Sequence, residues 1–469
     1  MRLVTMWNTR YSMLLHEIDQ CEDEGVVIPK EIEGIVQSLD PSKDGWDIPL
    51  INELLRSLDE LPRNSDQTNA EPNELDEIRR LSKSPATDRA DVALDAIYED
   101  RIDAAWRGRL FGCALGLPYE RLGCASHGGR NIGTQRVQDH LRSTSNFPIV
   151  DFAKELPDSD VVWGGKSLSD SITGMEPDDD IHFTIANLCV VEKFGAKFTW
   201  SDIADWWIGH LPLTEFCTAE AQALLNYASR TARWGSDGGA RSSATPSFTR
   251  RNLNPYREWI GAQIRSDLWG WLSPSQPMQA TEFAHRDASW THERNGIYSA
   301  MFFSAMQSLA FTIDGIENLI ESSLNFIPPN SRLAKAIRAT VDISDSVTDW
   351  NTALSRILQE LNDRRRLDLS PVHSINNSSI CVLALLHGRD EPLHATKLAV
   401  MSGYDTDCNG ATVGAISGVL FGKEMSNSSL LRKMNGSVST RISGNQHLLV
   451  SDLVERTISV ARKIADRAP

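Results

Sequence analysis

Apolar residues recur at helical spacing along most of the chain, and the alternation typical of strands is rare. Residues three and four positions apart share one face of a helix, so this pattern predicts many helices that each bury one face. The predicted helices are Tyr11–Cys21, Ile48–Leu61, Glu74–Leu81, Ala93–Leu115, Ile181–Phe194, Ala219–Ala232, Gly296–Phe311, Ile313–Phe326, Ser331–Ile343, Trp350–Leu361, Ser378–Leu386, Leu393–Met401, Asn409–Phe421 and Leu448–Ala465. The sequence therefore predicts an all-α fold, with a compact orthogonal helical bundle as the favoured architecture.

Changes in residue composition and in the spacing of apolar residues divide the chain into three parts. Residues 1–61 predict an N-terminal helical extension. Residues 62–95 are mainly polar and are interrupted by prolines, which is typical of a linker. Residues 96–469 carry the long helices and predict the main domain. Within it, segments 123–175 and 233–256 are rich in Gly, Ser, Asn and Arg. We expect these two segments to be functional loops, because long loops in compact domains usually are.

Two runs of glycine repeat at every fourth position. They are Gly108, Gly112 and Gly116, and Gly410, Gly414, Gly418 and Gly422. Glycine costs roughly 1 kcal/mol inside a helix, so a repeated glycine needs a reason. A period of four places each run on one helical face, where missing side chains let another backbone approach. The runs predict close helix–helix packing, which would hold the polar residues at their ends rigidly together.

Charge and cysteine usage limit the classes of partner. The formal net charge is −16, which argues against binding to a nucleic-acid backbone. The sequence lacks an apolar stretch of about 18 residues, so we expect no membrane span. Seven scattered cysteines without a CxxC pair argue against a disulfide framework or a zinc-finger site. Together with an N-terminal sequence unlike a signal peptide, they predict a cytoplasmic protein.

The segment Glu176–Asp180 places three adjacent aspartates before a predicted helix. Helix capping and the helix dipole account for one or two of them. Three neighbouring carboxylates repel one another, and a bound hard cation would remove that repulsion. Carboxylate oxygens suit Mg²⁺, Mn²⁺ or Ca²⁺, so Asp178, Asp179 and Asp180 are candidate metal ligands.

A second acidic pair, Asp405 and Asp407, lies directly before the second glycine run. Two carboxylates in an Asp-x-Asp motif can share one ion only where the backbone is extended or turning, which predicts a loop entering a helix. The motif lacks the closing glutamate of an EF-hand.

Glu120 follows the first glycine run. A single glutamate there is usually solvated, but its position at the mouth of a glycine-packed helix favours a functional role.

Two further segments are dense in polar groups. Asp287–Gly296 contains Thr291, His292 and Asn295 and predicts either the wall of a site or a helix cap with a surface histidine. Asn254–Asp267 contains a glycine turn with arginine nearby. It predicts either a phosphate-binding turn or a helix with surface ion pairs.

These segments occur together in one order, and that order resembles the ADP-ribosylglycohydrolase family over roughly residues 101–424. Arg107–Glu120 resembles the opening helix of the family, and Asp178–His182 stands at the position of its Thr-Asp-Asp-Thr-Gln motif. Tyr404–Gly414 resembles its Gly-Asp-Thr-Asp-Thr motif. Ile260–Arg265 resembles its substrate loop, and Thr291-His292 resembles its Thr-His step.

The resemblance implies an all-α fold and a centre of two divalent cations, Mg²⁺ or Mn²⁺. It implies these metal ligands: Asp178, Asp179, Asp180, Asp405, Asp407 and Cys408. It implies Glu120 and Asp179 as the catalytic pair, with Glu120 acting as general base or positioning the substrate. It implies these substrate-binding residues: Gly261, Arg265, Thr291, His292 and Asn295.

Some positions depart from the family pattern. Asp178 and Cys408 stand where the family has threonines, and the aspartate that is usual in the first helix is absent, with Cys113-Ala114-Leu115 in that region. Sulfur is a soft ligand poorly suited to Mg²⁺. Cys408 therefore either binds a metal or packs, with Asn409 or the Thr406 carbonyl in its place. These departures indicate a distinct branch, so an ADP-ribosylarginine substrate is not assumed.

Three functions fit these observations. The leading one is a metal-dependent hydrolase that cleaves a ribosyl glycosidic bond and removes ADP-ribose from a modified protein or small molecule. A second is a dinuclear-metal N-glycosidase acting on a free nucleotide, nucleoside or related metabolite, with the long loops closing over it. A third is a non-catalytic ADP-ribose-binding module. The clustered carboxylates argue against the third, because without a metal they are an unrelieved electrostatic cost.

Overall fold

The computed structural model describes residues 9–39, 48–83, 92–154, 165–231, 244–363, 365 and 367–466. Helices dominate these residues, which confirms the all-α prediction. Two small antiparallel hairpins pair Ser126–His127 with Arg130–Asn131 and Ser437–Ser439 with His447–Leu449. Of the two segments predicted as functional loops, residues 155–164 and 233–243 lie outside the described part of the chain.

The helices are numbered in chain order. The N-terminal part holds α1 (Arg10–Asp23), α2 (Lys30–Ser38), α3 (Ile48–Glu60), α4 (Ser65–Ala70) and α5 (Leu75–Leu81). The main domain holds α6 (Ala96–Gly116), α7 (Glu120–Gly123), α8 (Gly133–Ser143), α9 (Asp179–Phe194), α10 (Trp200–His210), α11 (Thr218–Thr231), α12 (Pro246–Arg251), α13 (Asp267–Trp271), α14 (Pro277–Ala288), α15 (Arg294–Leu309), α16 (Ile316–Leu324), α17 (Arg332–Ser346), α18 (Trp350–Asn362), α19 (Ser374–His387), α20 (His394–Met401), α21 (Thr406–Phe421), α22 (Lys423–Ser426), α23 (Ser429–Lys433) and α24 (Val450–Ala465). Short 3₁₀ turns cover Leu117–Tyr119, Gly195–Lys197, Leu213–Glu215 and Ile260–Arg265.

The pair α6 and α21 forms the centre of the main domain. Gly108 faces Gly414 and Gly112 faces Gly410, so the two helices run antiparallel in direct backbone contact. A methyl group on Gly112 would overlap the carbonyl oxygen of Gly410. The structure thus confirms the close packing that the glycine period predicts. Antiparallel packing also brings the end of α6 against the start of α21, where Thr406 Oγ1 donates a hydrogen bond to the Gly116 carbonyl at 2.8 Å.

The N-terminal helices form a small apolar core of their own and contact the main domain through buried ion pairs. Arg257 donates to Glu17 Oε2 at 2.7 Å and to Glu24 Oε1 at 2.8 Å. Arg332 contacts Glu71 in the same way, at 2.8 Å. Because Glu71 lies within the segment interpreted as a linker, this segment packs against the main domain at that point and contributes α4 and α5.

Replacing Arg257 with methionine is expected to lower the free energy of unfolding by about 3–5 kcal/mol, because Glu17 would stay buried without its counter-charge and Glu24 would keep only Arg63 and Arg294. Urea denaturation measures this change. Arg389→Ala is the matched control, since Arg389 pairs with Glu317 at the surface, where both side chains are about half exposed, and an exposed pair contributes less than about 1 kcal/mol. Equal losses for the two variants would show that the buried pairs do not hold the extension in place.

Candidate active site

The first acidic cluster forms the start of α9. Asp178 is the N-cap residue, and its carboxylate accepts a hydrogen bond from the backbone N–H of Asp180 at 2.9 Å. Asp179 and Asp180 occupy the first turn, where the partial positive charge of the helix N-terminus favours carboxylates. Asp180 is fully buried, whereas Asp178 and Asp179 are half-buried. The cluster therefore has an inner and an outer side.

The second acidic cluster forms the start of α21, as the Asp-x-Asp motif predicts. Gly403 and Tyr404 both have positive φ angles, +73° and +62°, which turn the chain sharply into the helix. A side chain at Gly403 would lie 2.6 Å from the backbone nitrogen of Thr134, so glycine is required there. Asn377 Oδ1 accepts hydrogen bonds from the Asp405 backbone at 3.3 Å and from Asn409 Nδ2 at 2.7 Å. These contacts fix the backbone of the motif.

The two acidic clusters meet although more than 200 residues separate them. The Cys408 thiol, next to Asp407, donates to Asp180 Oδ2 at 3.2 Å. Two sets of possible ligand atoms each fit within 4.8 Å: Cys113 Sγ with oxygens of Asp178 and Asp180, and Cys408 Sγ with oxygens of Asp405 and Asp407. The two sets include five of the six residues predicted as metal ligands; the sixth, Asp179, lies between Asp178 and Asp180 at the start of α9.

Burial and mutual repulsion raise the pKa of every aspartate in the site. Burial, and then Asp407, raises the pKa of Asp178 to about 7. Burial, and then the neighbouring Asp178, raises the pKa of Asp179 to about 8. Burial likewise raises the pKa of Asp407 to about 6, and the pKa of Glu120 lies well above its usual value because of burial and then Asp407. The site therefore concentrates carboxyl groups whose ionised forms are disfavoured by burial and by one another.

The donor set fits divalent cations. Asp407 is only 3% exposed, and its Oδ1 has no hydrogen-bond partner among the described residues. A buried carboxylate oxygen without a partner costs folding free energy unless something binds it. Carboxylate oxygens are the usual ligands of Mg²⁺ and Mn²⁺, so the five aspartates can hold such ions.

A pocket of about 320 Å³ opens beside the acidic clusters. Its walls include Glu120, Asp178 and Asp179, together with Glu215 and Cys217. Glu120 is half-buried and reaches the pocket because a 3₁₀ turn at Leu117–Tyr119 ends the glycine helix α6 immediately before it. The two residues predicted to be catalytic, Glu120 and Asp179, thus share one pocket, while Asp180 and Asp407 are buried deeper.

Arg109 is a component of the site that the sequence analysis did not identify. It is fully buried in α6 and donates to Asp267 Oδ2 at 2.6 Å and to the carbonyl of Asp180 at 2.6 Å. It also lies 3.4 Å from Asp180 Oδ1. Among the described residues, Arg109 thus places a positive charge directly against the first acidic cluster and holds Asp180 in position. The signal that could have revealed it is a charged residue between Gly108 and Gly112, in the part of α6 that the glycine period predicts to be closely packed.

Four of the five residues predicted to bind substrate form one buried polar network. Arg265 ion-pairs with Glu220 and with Asp287 at 3.1 Å, and it donates to Thr291 Oγ1 at 3.0 Å. His292 Nδ1 lies 2.8 Å from Thr291 Oγ1. Gly261 belongs to the same network, because a side chain on it would overlap the Glu220 carboxylate. Glu220 in turn helps raise the pKa of Asp179 by electrostatic repulsion, so the network lies next to the acidic pocket.

Asn295, the fifth of these residues, lies apart from the other four. Its side chain donates to Glu258 Oε2 at 2.7 Å and accepts from the Leu333 backbone at 2.9 Å. Glu258 also pairs with Arg332 at 2.6 Å, so Asn295 belongs to the contact with the N-terminal helices. Arg265, His292 and Asn295 are fully buried. Arg265 and Asn295 make their hydrogen bonds within the protein, whereas His292 Nε2 has no hydrogen-bond partner among the described residues.

The raised pKa values predict how pH affects stability. For Asp178, Asp179 and Asp407, folding raises the pKa from 3.8 to between about 6 and about 8, so the folded state holds protons more tightly than the unfolded state. Without a cation, their contribution to stability therefore falls as pH rises from about 4 to about 8. A divalent cation competes with those protons. We expect millimolar Mn²⁺ to raise the Tm more at pH 8 than at pH 6, as measured by scanning fluorimetry; a pH-independent increment would contradict this.

The all-α fold carries two aspartate clusters beside a surface pocket. This arrangement places the site in a class of helical hydrolases. The model of the ADP-ribosylglycohydrolase family matches residues 94–461, and the chain belongs to this family. This confirms the resemblance in the sequence, and it makes the chain a glycosidase for ADP-ribose linkages. A search of curated proteins finds no match.

Among solved structures, the chain is similar to a chain of an "ADP-ribosylglycohydrolase-related protein complex". The identity is 16%, the TM-score is 0.44, and the match covers 78% of this chain and 99% of that one. Across the described ranges of the chain, the structure contains no helix with the length and apolarity that a membrane span needs.

Proposed function

We propose that this chain is a hydrolase that uses two divalent cations, Mg²⁺ or Mn²⁺, to remove ADP-ribose from a modified protein or a small molecule. The observation that carries the proposal is the meeting of Asp178–Asp180 with Asp405–Asp407 beside one pocket. Each cluster starts a helix, so helix dipoles partly offset the repulsion while leaving carboxylate oxygens free for ions. Family membership supplies the ADP-ribose linkage, and the carboxylates supply the metal dependence.

The aspartates divide into two ligand groups. Asp178, Asp179 and Asp180 would hold cations from the α9 side, and Asp405 and Asp407 would hold them from the α21 side. When bound, the cations supply a template for ribose hydroxyls and electrostatic stabilisation of the reacting groups. Arg109 keeps Asp180 in place through its ion pair and its bond to the Asp180 carbonyl.

The pocket residues carry the chemistry on the protein side. A water oxygen bonds to the anomeric carbon of ribose while the bond from that carbon to the acceptor nitrogen or oxygen breaks. The acceptor leaves with the bonding electrons and takes up a proton. Glu120 faces the pocket and is assigned to accept a proton from the water or to hold the substrate at the anomeric carbon. The negative charge of Asp179 favours the oxocarbenium-like state through which such bonds break.

The residues predicted to bind substrate support the pocket wall in this proposal. Gly261 leaves room for Glu220, and Arg265 holds Glu220 beside Asp179. Thr291 and His292 in turn brace Arg265 from the opposite side. Their effect on the substrate is thus exerted through the geometry of the wall.

The experiment is a hydrolysis assay with purified protein. The substrates are proteins ADP-ribosylated on different acceptor residues, small-molecule ADP-ribose conjugates, and a panel of nucleosides and nucleotide sugars. We expect free ADP-ribose from at least one conjugate, dependent on Mg²⁺ or Mn²⁺ and lost with EDTA. Release of base from nucleosides alone would assign the chain to the N-glycosidase alternative. Binding of ADP-ribose without turnover of any substrate would leave only the binding-module alternative.

A further inference from the structure

Two cysteine thiols are part of the acidic site. Cys113 lies in α6, and its sulfur lies near carboxylate oxygens of Asp178 and Asp180. Cys408 lies in α21, and its thiol donates to Asp180 Oδ2 at 3.2 Å. Both cysteines are buried, and their sulfur atoms lie within 4.8 Å of carboxylate oxygens. Each sulfur therefore lies among carboxylate oxygens with which it could bind one cation.

Each candidate ion position contains one of these sulfurs. One set of ligand atoms consists of Cys113, Asp178 and Asp180, and the other of Cys408 with Asp405 and Asp407. The buried Asp407 Oδ1, which has no described hydrogen-bond partner, belongs to the second set and indicates independently that a ligand is missing there. Each of the two sets of ligand atoms thus consists of two carboxylate oxygens and one sulfur.

This composition matters for the choice of cation. Mg²⁺ is hard, binds oxygen and retains water, so a sulfur in its shell contributes little. Zn²⁺ and Co²⁺ accept sulfur and carboxylate oxygen together, and a coordinating thiol loses its proton to become the ligand. Both cations tolerate the small, tetrahedral-type shells that one thiolate and two carboxylates can provide.

We propose that this centre is a mixed thiolate–carboxylate site that uses Cys113 and Cys408 to select a thiolate-binding cation of the Zn²⁺ or Co²⁺ type over Mg²⁺. The inference rests on the proposed metal centre, keeps its carboxylate ligands, and changes which cation the centre binds most tightly. It assigns to the two cysteines a role that packing alone does not give them.

Cobalt spectroscopy tests the proposal without any substrate. Protein freed of metal is titrated with Co²⁺, and the absorption of thiolate-to-cobalt charge transfer is recorded in the near ultraviolet. We expect this absorption in the wild type, a weaker one in Cys113→Ser and in Cys408→Ser, and none in the double variant. Cys189→Ser is the control, because Cys189 contacts Arg456 in another part of the structure.

Metal competition provides the second measurement. Because Zn²⁺ binds most sites more tightly than Mn²⁺, the wild-type preference alone decides nothing, and the change on substitution is informative. In equilibrium dialysis with metal analysis, Cys408→Ser is expected to reduce the Zn²⁺-to-Mn²⁺ preference at least about 10-fold while Mn²⁺ binding persists.

The outcomes separate this proposal from the proposed function. Co²⁺ binding without charge transfer, and unchanged by either cysteine variant, would overturn the thiolate site and leave the carboxylate centre standing. Failure of all divalent cations to bind would overturn both. If a serine variant does not fold, the charge-transfer band of the wild-type protein decides the question by its presence or absence.

Discussion

Replacing Asp407 with asparagine is expected to lower ADP-ribose release at least about 100-fold, the upper range reported for residues that merely support metal ligands. The amide keeps the shape of the side chain but removes the charge that a cation needs. Because Asp407 also raises the pKa of Asp178 and Glu120, its loss changes the electrostatics of the whole pocket. Initial rates at saturating Mn²⁺ measure the effect.

The control for this variant is Asp452→Asn, which removes one carboxylate from the exposed surface of α24. Its activity and its metal-induced rise in Tm are expected to equal those of the wild type. Asp407→Asn should lose most of that rise while remaining folded, since removing a buried negative charge relieves repulsion. An Asp407→Asn protein with activity within a few-fold of the wild type would exclude Asp407 as a ligand.

Replacing Gly112 with alanine is expected to destabilise the protein by about 3 kcal/mol or more, the upper end of the usual cost of overpacking. The new methyl group would overlap the Gly410 carbonyl, and backbone cannot rotate away as a flexible side chain can. The helices α6 and α21 would have to separate along their length. Their separation would also displace Glu120 and Asp407, so activity should fall with stability.

Gly209→Ala is the matched control for this substitution. Gly209 lies inside α10, and no described atom lies within 4 Å of the position that its methyl group would occupy. Alanine there should raise the free energy of unfolding by up to roughly 1 kcal/mol through helix propensity. Chemical denaturation of both variants separates steric contact from propensity. If Gly112→Ala were as stable as Gly209→Ala, α6 and α21 would not be in backbone contact.

The glycine period predicts more of the architecture than any other sequence feature. It specifies which faces of α6 and α21 approach, and hence that the polar residues at their ends lie close together. The acidic segments could be predicted as ligands because adjacent carboxylates carry an electrostatic cost that capping alone does not explain. Both predictions depend on local spacing, which a single sequence displays directly.

Other parts of the site depend on contacts between distant segments. Asn377 acts on Asp405 from α19, and nothing in its local sequence predicts this. Arg265 and Asn295 are polar residues in polar segments, so their complete burial is decided by partners elsewhere in the chain. Helix α8 was missed because it is mainly polar, with Val137 and Leu141 as its fully buried apolar residues.

The most direct test of the central claim is a crystal of the protein soaked in Mn²⁺ and measured by anomalous diffraction. The account predicts anomalous peaks within about 2.2 Å of carboxylate oxygens from both the α9 cluster and the α21 cluster. At least one ion should contact Asp407, whose free oxygen requires a partner. Peaks confined to other parts of the molecule, or to only one of the two clusters, would contradict a shared metal centre.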